Sequence, residues 1–219
     1  MNFYVGAILS EVMPSGPLRG PLRKRESNLW EREKNDWYCE PTWCSARLFE
    51  EEAFEGNVID PSCGGGNILK SAADAGLNGY GYDVVERSGF VERVQDFMSS
   101  DWACPYDVDN IVSNPPFGLC DSKAGHPGYV DLALQRARQK VALLLPSTWV
   151  NGDSRSRWLA ATPLRKVLFI TPRPSMPPGH VIAAGEKPGN GTKDFCWMIW
   201  LRGYDGRPEI GWLRRERGA

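Results

Sequence analysis

The chain has little histidine: only His126 and His180 among 219 residues. Its six cysteines form no C-x-x-C pair. A structural zinc needs about four such ligands at close spacing, so no metal centre is expected. No disulfide framework can be read either, and the thiols are expected to be reduced in a cytoplasmic protein. No apolar run approaches the roughly 18 residues that a membrane span needs. The apolar patch in residues 1–13 has no basic stretch before it, so no signal peptide is expected. Internal repeats and low-complexity tracts are missing as well, which excludes solenoids and simple linkers.

What remains is a chain long enough for one domain with a full core. Its net charge of −1 hides an asymmetry: residues 1–134 hold 11 Lys/Arg against 21 Asp/Glu, and residues 135–219 hold 15 against 6. A basic region attracts phosphate backbones through counterion release, which makes the second part the candidate nucleic-acid face. Interleaving of both halves on the folded surface would cancel that field.

The pattern along the chain is strand then helix. Residues 1–36, rich in Pro, Gly and charge, read as an irregular arm. A helix is expected over 45–52 with Leu48 and Phe49 inward, a strand over 57–60, and a helix over 67–75 closed by Gly76. Then follow a strand over 79–83, a helix near 85–90 and a strand fragment over 93–97. A strand over 110–113, a helix over 128–139 and strands over 141–145, 167–171 and 195–201 complete the series. Trp149, Trp158, Trp197, Trp200 and Trp212 are expected in the core. Alternation of this kind predicts an α/β fold: a mostly parallel central sheet with helices on both faces and an antiparallel last strand. The main folded unit is bounded at 37–203, with 174–193 a candidate substrate loop and 204–219 a basic tail. Sheets of this type take ligands beyond the carboxyl ends of their strands.

Short motifs fall at the strand ends. Asp60-Pro61-Ser62-Cys63-Gly64-Gly65-Gly66 follows the first strand, and its glycines let backbone turn tightly beside a ligand. The pattern is neither the dinucleotide G-x-G-x-x-G nor a P-loop, and by itself it is compatible with a plain turn. Asp83 closes the second strand, where a carboxylate can accept both hydroxyls of a ribose. Asp96-Phe97 adds an acceptor beside an apolar ring, suited to an adenine. Asn114-Pro115-Pro116-Phe117 ends the next strand. Two prolines offer no N–H donors, so carbonyl oxygens and the Asn side-chain oxygen are left to grip both hydrogens of one amino group. An aromatic ring follows to stack on a flat base.

Taken together these residues resemble the amino-methyltransferase group of Rossmann-like methyltransferases. The likeness runs from about residue 36 to 202. Within the group, the segment Asp36-Trp37-Tyr38-Cys39-Glu40-Pro41 looks like the N-terminal cofactor motif of adenine-specific DNA methyltransferases. Residues 141–149, 173–176 and 197–200 are similar to small DNA methylases of phages and prophages. The resemblance implies S-adenosylmethionine as cofactor, held by Trp37, Tyr38, Glu40, Pro41, Asp60, Pro61, Ser62, Cys63, Gly64, Asp83, Asp96, Phe97 and Asn114. It implies catalysis by Asn114, Pro115, Pro116 and Phe117 on the N6 amine of a flipped adenine in DNA. The same tetrapeptide serves enzymes that act on RNA amines and on glutamine amides, so RNA is the alternative partner, and a non-catalytic binding role stands behind both.

The chain departs from the family's larger restriction-type members by leaving no room for a separate target-recognition domain. Loops at 118–127 and 174–193 are then expected to read the substrate. Arg155, Arg157, Arg173 and His180, with Arg165 and Lys166, are candidates for contacts to the nucleic acid. Cys63 is expected to be a small packing residue rather than a nucleophile.

Overall fold

The computed structural model describes residues 37–123, 125–185 and 191–216. The arm expected over 1–36, residues 186–190 of the expected substrate loop and 217–219 of the tail lie outside the described residues. The elements run α1 (Thr42–Glu51), β1 (Val58–Asp60), α2 (Asn67–Asp74), β2 (Gly79–Asp83), β3 (Val91–Val94), β4 (Asn110–Ser113), α3 (Tyr129–Arg136), β5 (Lys140–Pro146), α4 (Asp153–Ala160), β6 (Leu164–Thr171), α5 (Gly179–Ala183), β7 (Phe195–Leu201) and β8 (Glu209–Arg214). The strands form one eight-stranded sheet in the order β3-β2-β1-β4-β5-β7-β6-β8. Every neighbouring pair is parallel except the two that involve β7.

The sheet is buried on both faces, and β5 shows why its sequence is continuously apolar. Val141, Leu143 and Leu145 pack into one cluster with Tyr129 and Ala133 of α3 and Leu159 of α4. Ala142 and Leu144 pack into the other with Cys44 and Leu48 of α1 and Ile68 and Ala72 of α2. Successive strand side chains point to opposite faces, so a strand covered on both sides has no polar phase. Trp197 and Trp200 of β7 are fully buried in opposite clusters for the same reason.

Five expectations need correction. The helix expected near 85–90 is an irregular turn. Its residues fold back on the glycine turn instead, with Ser88 Oγ donating to Gly64 O at 2.8 Å and Arg87 reaching Asp83. The strand over 93–97 lies earlier, at Val91–Val94. The antiparallel strand β7 is not the last. The segment read as a basic tail carries β8, which pairs in parallel with β6 from Lys166↔Glu209 to Thr171↔Arg214 and extends the sheet past residue 203. Trp212, expected in the core, is 61% exposed on this edge strand, whereas Leu213, which points to the opposite face, is 1% exposed. Helix α4 went unrecognised, since its sequence DSRSRWLA buries only Leu159 and so carries almost no apolar period.

Candidate active site

A cleft of roughly 650 Å³ opens at the carboxyl ends of β1, β2 and β4, bringing together Asp60, Asp83 and Asn114 from three separate strands. Its volume falls in the range of about 300–1,000 Å³ usual for small-ligand sites. Trp37, Tyr38, Cys39 and Glu40 close one side, Pro61 to Gly65 form the floor, and Asp96, Phe97 and Met98 line the far end. This is the crevice beyond the strand ends where such sheets bind ligands.

The glycine turn is held from below. Gly64 has φ 49°, and its N–H donates to Asp83 Oδ2 at 2.9 Å. A Cβ there would lie 2.8 Å from Trp37 Nε1, and one at Gly179 would lie 2.1 Å from the same indole. Trp37 is therefore wedged between two glycines, with the Arg87 guanidinium 4.5 Å from its ring centroid. The chain before α1 is tied to the segment before α5: Cys39 N–H donates to Pro177 O at 3.0 Å and Gly179 N–H to Trp37 O at 2.9 Å. His180 follows on α5, exposed, on the outer side of this wall.

Asn114 is held by two hydrogen bonds from its amide nitrogen. Its Nδ2 donates to Tyr38 O at 2.8 Å and to Glu40 Oε2 at 2.9 Å. Both amide hydrogens are thus taken, and what the group has left for a ligand is its acceptor oxygen. Immediately before it, Ser113 Oγ donates to Asp60 Oδ1 at 2.7 Å and shares a 3.0 Å hydrogen bond with Tyr129 Oη. Tyr129 Oη also lies 3.2 Å from Ser62 Oγ, so one buried network joins the glycine turn, β4 and α3. Ser113 and Tyr129 were not legible as site residues. Ser113 is set apart only by its place beside Asn114, and nothing in the sequence puts the first residue of α3 under the cleft.

The electrostatics are lopsided. Burial pushes Glu40 up to about 7 despite the hydrogen bond from Asn114. Burial, aided by the nearby Glu40 charge, also raises Asp60 well above the usual carboxylate range, against the hydrogen bond from Ser113. Among the described residues no cation offsets either group, whereas Asp83 has Arg87 Nε at 3.4 Å. Burial, then the Asp60 and Asp83 charges, push the Cys63 thiol up, which suits a packing residue and not a thiolate nucleophile.

The remaining expected site residues divide. Pro61, Ser62, Cys63, Asp83, Asp96, Phe97 and Pro116 line the cleft. Pro41 instead caps α1, and Pro115 is buried outside the lining. Phe117 also lies outside the lining, with its ring centroid 5.8 Å from that of Phe195. Arg155 is held by both oxygens of Asp121, Arg157 by Asp153 one turn earlier, and Arg173 by Asp194. Arg165 and Lys166 lie at the opposite end of the sheet, bound to Glu52. Among the described residues no cluster of His, Cys, Asp and Glu could hold a metal ion, and no helix is long and apolar enough to cross a membrane.

No protein-family model matches the chain, and no curated protein matches it. Among solved structures it is similar to an rRNA methylase from Streptococcus thermophilus, at 14% identity over 73% of this chain and 94% of that one, with a TM-score of 0.42. It is similar to TrmN from Thermus thermophilus at 22% identity, over 73% of this chain and 48% of that one, with a TM-score of 0.40. It is also similar to the ATP-dependent type ISP restriction-modification enzyme LlaBIII bound to DNA, at 10% identity over 81% of this chain and 20% of that one, with a TM-score of 0.46. Likenesses this distant say nothing of substrate, and the functional argument rests on the cleft.

Proposed function

We propose that the protein is an S-adenosylmethionine-dependent methyltransferase acting on the N6 amine of adenine in DNA. The observation that carries the reading is Asn114, whose amide hydrogens are both engaged so that its oxygen is left as an acceptor in the lining of an acidic cleft. The cofactor fits the residues present. Two buried carboxylates without cations, one raised to about 7, call for a positively charged ligand, and S-adenosylmethionine carries an ammonium and a sulfonium. Trp37, Tyr38, Glu40, Asp60 and Gly64 would hold its amino-acid part, Asp83 its ribose, and Asp96 and Phe97 its adenine. When bound it supplies an electrophilic methyl group.

The chain's own residues then do three things. Asn114 Oδ1 would accept one hydrogen of the target amine, drawing its lone pair out of ring conjugation; the Pro115 carbonyl, expected to take the other, belongs to a residue outside the cleft lining and would have to turn towards it. The Glu40 and Tyr38 contacts keep the Asn114 oxygen aimed, so no reorientation is needed at the moment of reaction, which is where preorganised dipoles gain their effect. Filled by cofactor and base, the cleft would leave little water at the site of transfer, while its open side lets the product proton reach solvent. A base in a duplex has to leave its stack to reach this depth, at a cost of about a few kcal/mol. No strong base is required, since the amine proton becomes acidic only as the new N–C bond forms, and it passes to water. With Phe117 packed on Phe195, the stacking role expected for it requires that ring to turn towards the cleft.

The test is transfer of labelled methyl from S-adenosylmethionine to unmethylated duplex DNA, single-stranded DNA and total RNA in parallel, with nucleoside analysis. Label in N6-methyldeoxyadenosine is the expected result. Label confined to RNA would reassign the substrate, and cofactor binding without transfer to any nucleic acid would overturn the reading.

A further inference from the structure

Ser113 and Tyr129 are buried beneath the cleft, and neither has a part in the reaction proposed above. Both belong to the surroundings of Asp60, at the end of β1. Asp60 Oδ1 accepts the Ser62 N–H at 3.1 Å and the Ser113 hydroxyl at 2.7 Å. Tyr129 Oη lies 3.0 Å from Ser113 Oγ and 3.2 Å from Ser62 Oγ.

The supply of protons gives these contacts a direction. Each hydroxyl has one proton to donate. That of Ser113 is spent on the Asp60 carboxylate, so the bond between Ser113 and Tyr129 takes the phenol proton. The bond between Tyr129 and Ser62 is then left to the Ser62 proton. The donors run one way, from Ser62 to Tyr129 to Ser113, and end on Asp60. In such a row each donor polarises the next. Burial, then the Asp60 charge, holds the Tyr129 phenol well above its ordinary value, so it keeps the proton that the row requires.

Asp60 is the group in need of donors. Burial is the strongest influence against its charge; the Ser113 bond opposes that, Glu40 adds to it, the Ser62 N–H opposes it and Asp83 adds again. Glu40 faces it from the segment before α1, Asp83 from the end of β2, the Cys63 thiol from the glycine turn and Tyr129 from α3. The Arg87 guanidinium is turned to Asp83, at 3.4 Å. Support for a charge on Asp60 therefore comes from neutral donors.

We infer that Ser113 and Tyr129 are positioning residues, whose hydroxyls form a relay that favours the ionised form of Asp60 and fixes the direction of its carboxylate. The relay acts through Asp60 and touches no reacting atom. That the ligand it serves is the ammonium of S-adenosylmethionine rests on the function proposed above.

The first test needs no ligand. The carboxyl stretch of protonated Asp60 is followed by infrared titration of the full chain in a Glu40→Gln background, and it is identified by its loss in Asp60→Asn. The midpoint is expected to rise by about one to two pH units in Ser113→Ala, by about half to one in Tyr129→Phe, and by less in Ser62→Ala, in order of distance along the relay. The second test is S-adenosylmethionine binding against pH. Tyr129→Phe should bind about three- to tenfold more weakly than wild type below the midpoint and equally well above it, since only the ionised carboxylate attracts the cation. An unmoved midpoint in a folded Tyr129→Phe overturns the relay, and should that variant fail to fold, an unmoved midpoint in Ser62→Ala does so. An affinity loss that is the same at every pH, the mark of a merely structural role, also overturns it. Midpoints that rise in the expected order in a protein that binds no S-adenosylmethionine uphold the relay and remove the methyltransferase reading instead.

Discussion

Two buried glutamates at opposite ends of the sheet make the most instructive contrast in the molecule. Glu40 stands beside the carboxyl ends of the strands and is 7% exposed; Glu52, just past α1, is 3% exposed. Glu52 receives Lys140 at 2.8 Å and Lys166 at 3.0 Å, from the amino ends of β5 and β6, together with Arg165. Burial acts to raise its pKa, but the hydrogen bonds and charges of Lys140 and Lys166 outweigh that and bring it below the usual range. Glu40 has the Asn114 amide and no cation, and burial lifts it to about 7. Glu40 is the more deeply desolvated and has no cation, whereas Glu52 is ringed by three, and together these differences give opposite shifts. The amino end of the sheet is electrostatically finished. The carboxyl end is left short of positive charge, which is the condition of a site waiting for a ligand.

The contrast can be broken most severely at Asn114. Asn114→Ala is expected to lower turnover by at least about 10²–10³, the usual effect of deleting one preorganised polar group at a reacting centre. Cofactor affinity measured by calorimetry should fall far less than turnover; an active Asn114→Ala enzyme would sink the assignment.

Next in size is Glu52→Gln. It strands three cations around a neutral amide, and loss of about 2–3 kcal/mol is expected in urea unfolding, less than for a deeply buried pair because the cations can turn to water. S-adenosylmethionine affinity should not change. Since the folded pKa of Glu52 is depressed, its stabilisation is present above the unfolded value near 4.5 and is lost as pH falls through the folded one. The wild-type minus Glu52→Gln difference should therefore shrink only in acid.

Glu40 carries the opposite sign. Its folded pKa is raised from 4.5 to about 7, so its contribution to the stability of the unliganded protein is full below about 4.5 and is lost as pH rises through 7. Binding of a cationic ligand runs the other way: the dissociation constant should fall as pH rises towards 7 and then level off. Glu40→Gln should remove the part of that profile centred near 7, leaving the part due to Asp60, and weaken binding about tenfold at pH 8, the worth of one pKa unit. A profile that is unchanged in the variant would remove Glu40 from the ligand's environment.

The smallest effect is expected at the sheet edge. Trp212→Ser, at a side chain 61% exposed, should change unfolding free energy by no more than about 0.5 kcal/mol. A larger loss would mean that the edge strand is covered in solution.

The sequence by itself determined the strand-and-helix alternation from β1 to β7 and the strand-end motifs, because each is local. A continuous apolar run such as 141–145 reports burial on both faces. Glycines before a helix report a turn, and two prolines after a strand report a backbone with acceptors only. Strand bounds at 79–83, 110–113 and 195–201 agree with the observed ones. Local signals failed where the next contact was distant. The stretch 85–90 folds back on Gly64, α4 shows the core only Leu159, and β8 exists because β6 offers it an edge. The same limit governs the site. That Asn114 lies in the cleft could be read from its motif. That its amide is turned by Tyr38 and Glu40, 76 and 74 residues earlier, could not. Nor could the pairing of Arg155 with Asp121, or the desolvation that moves Glu40 and leaves Glu52 a staple. Residue type and periodicity are written along the chain. Partnering and dielectric exist only between segments, so the tertiary structure alone decided which carboxylates are satisfied and which are left to bind.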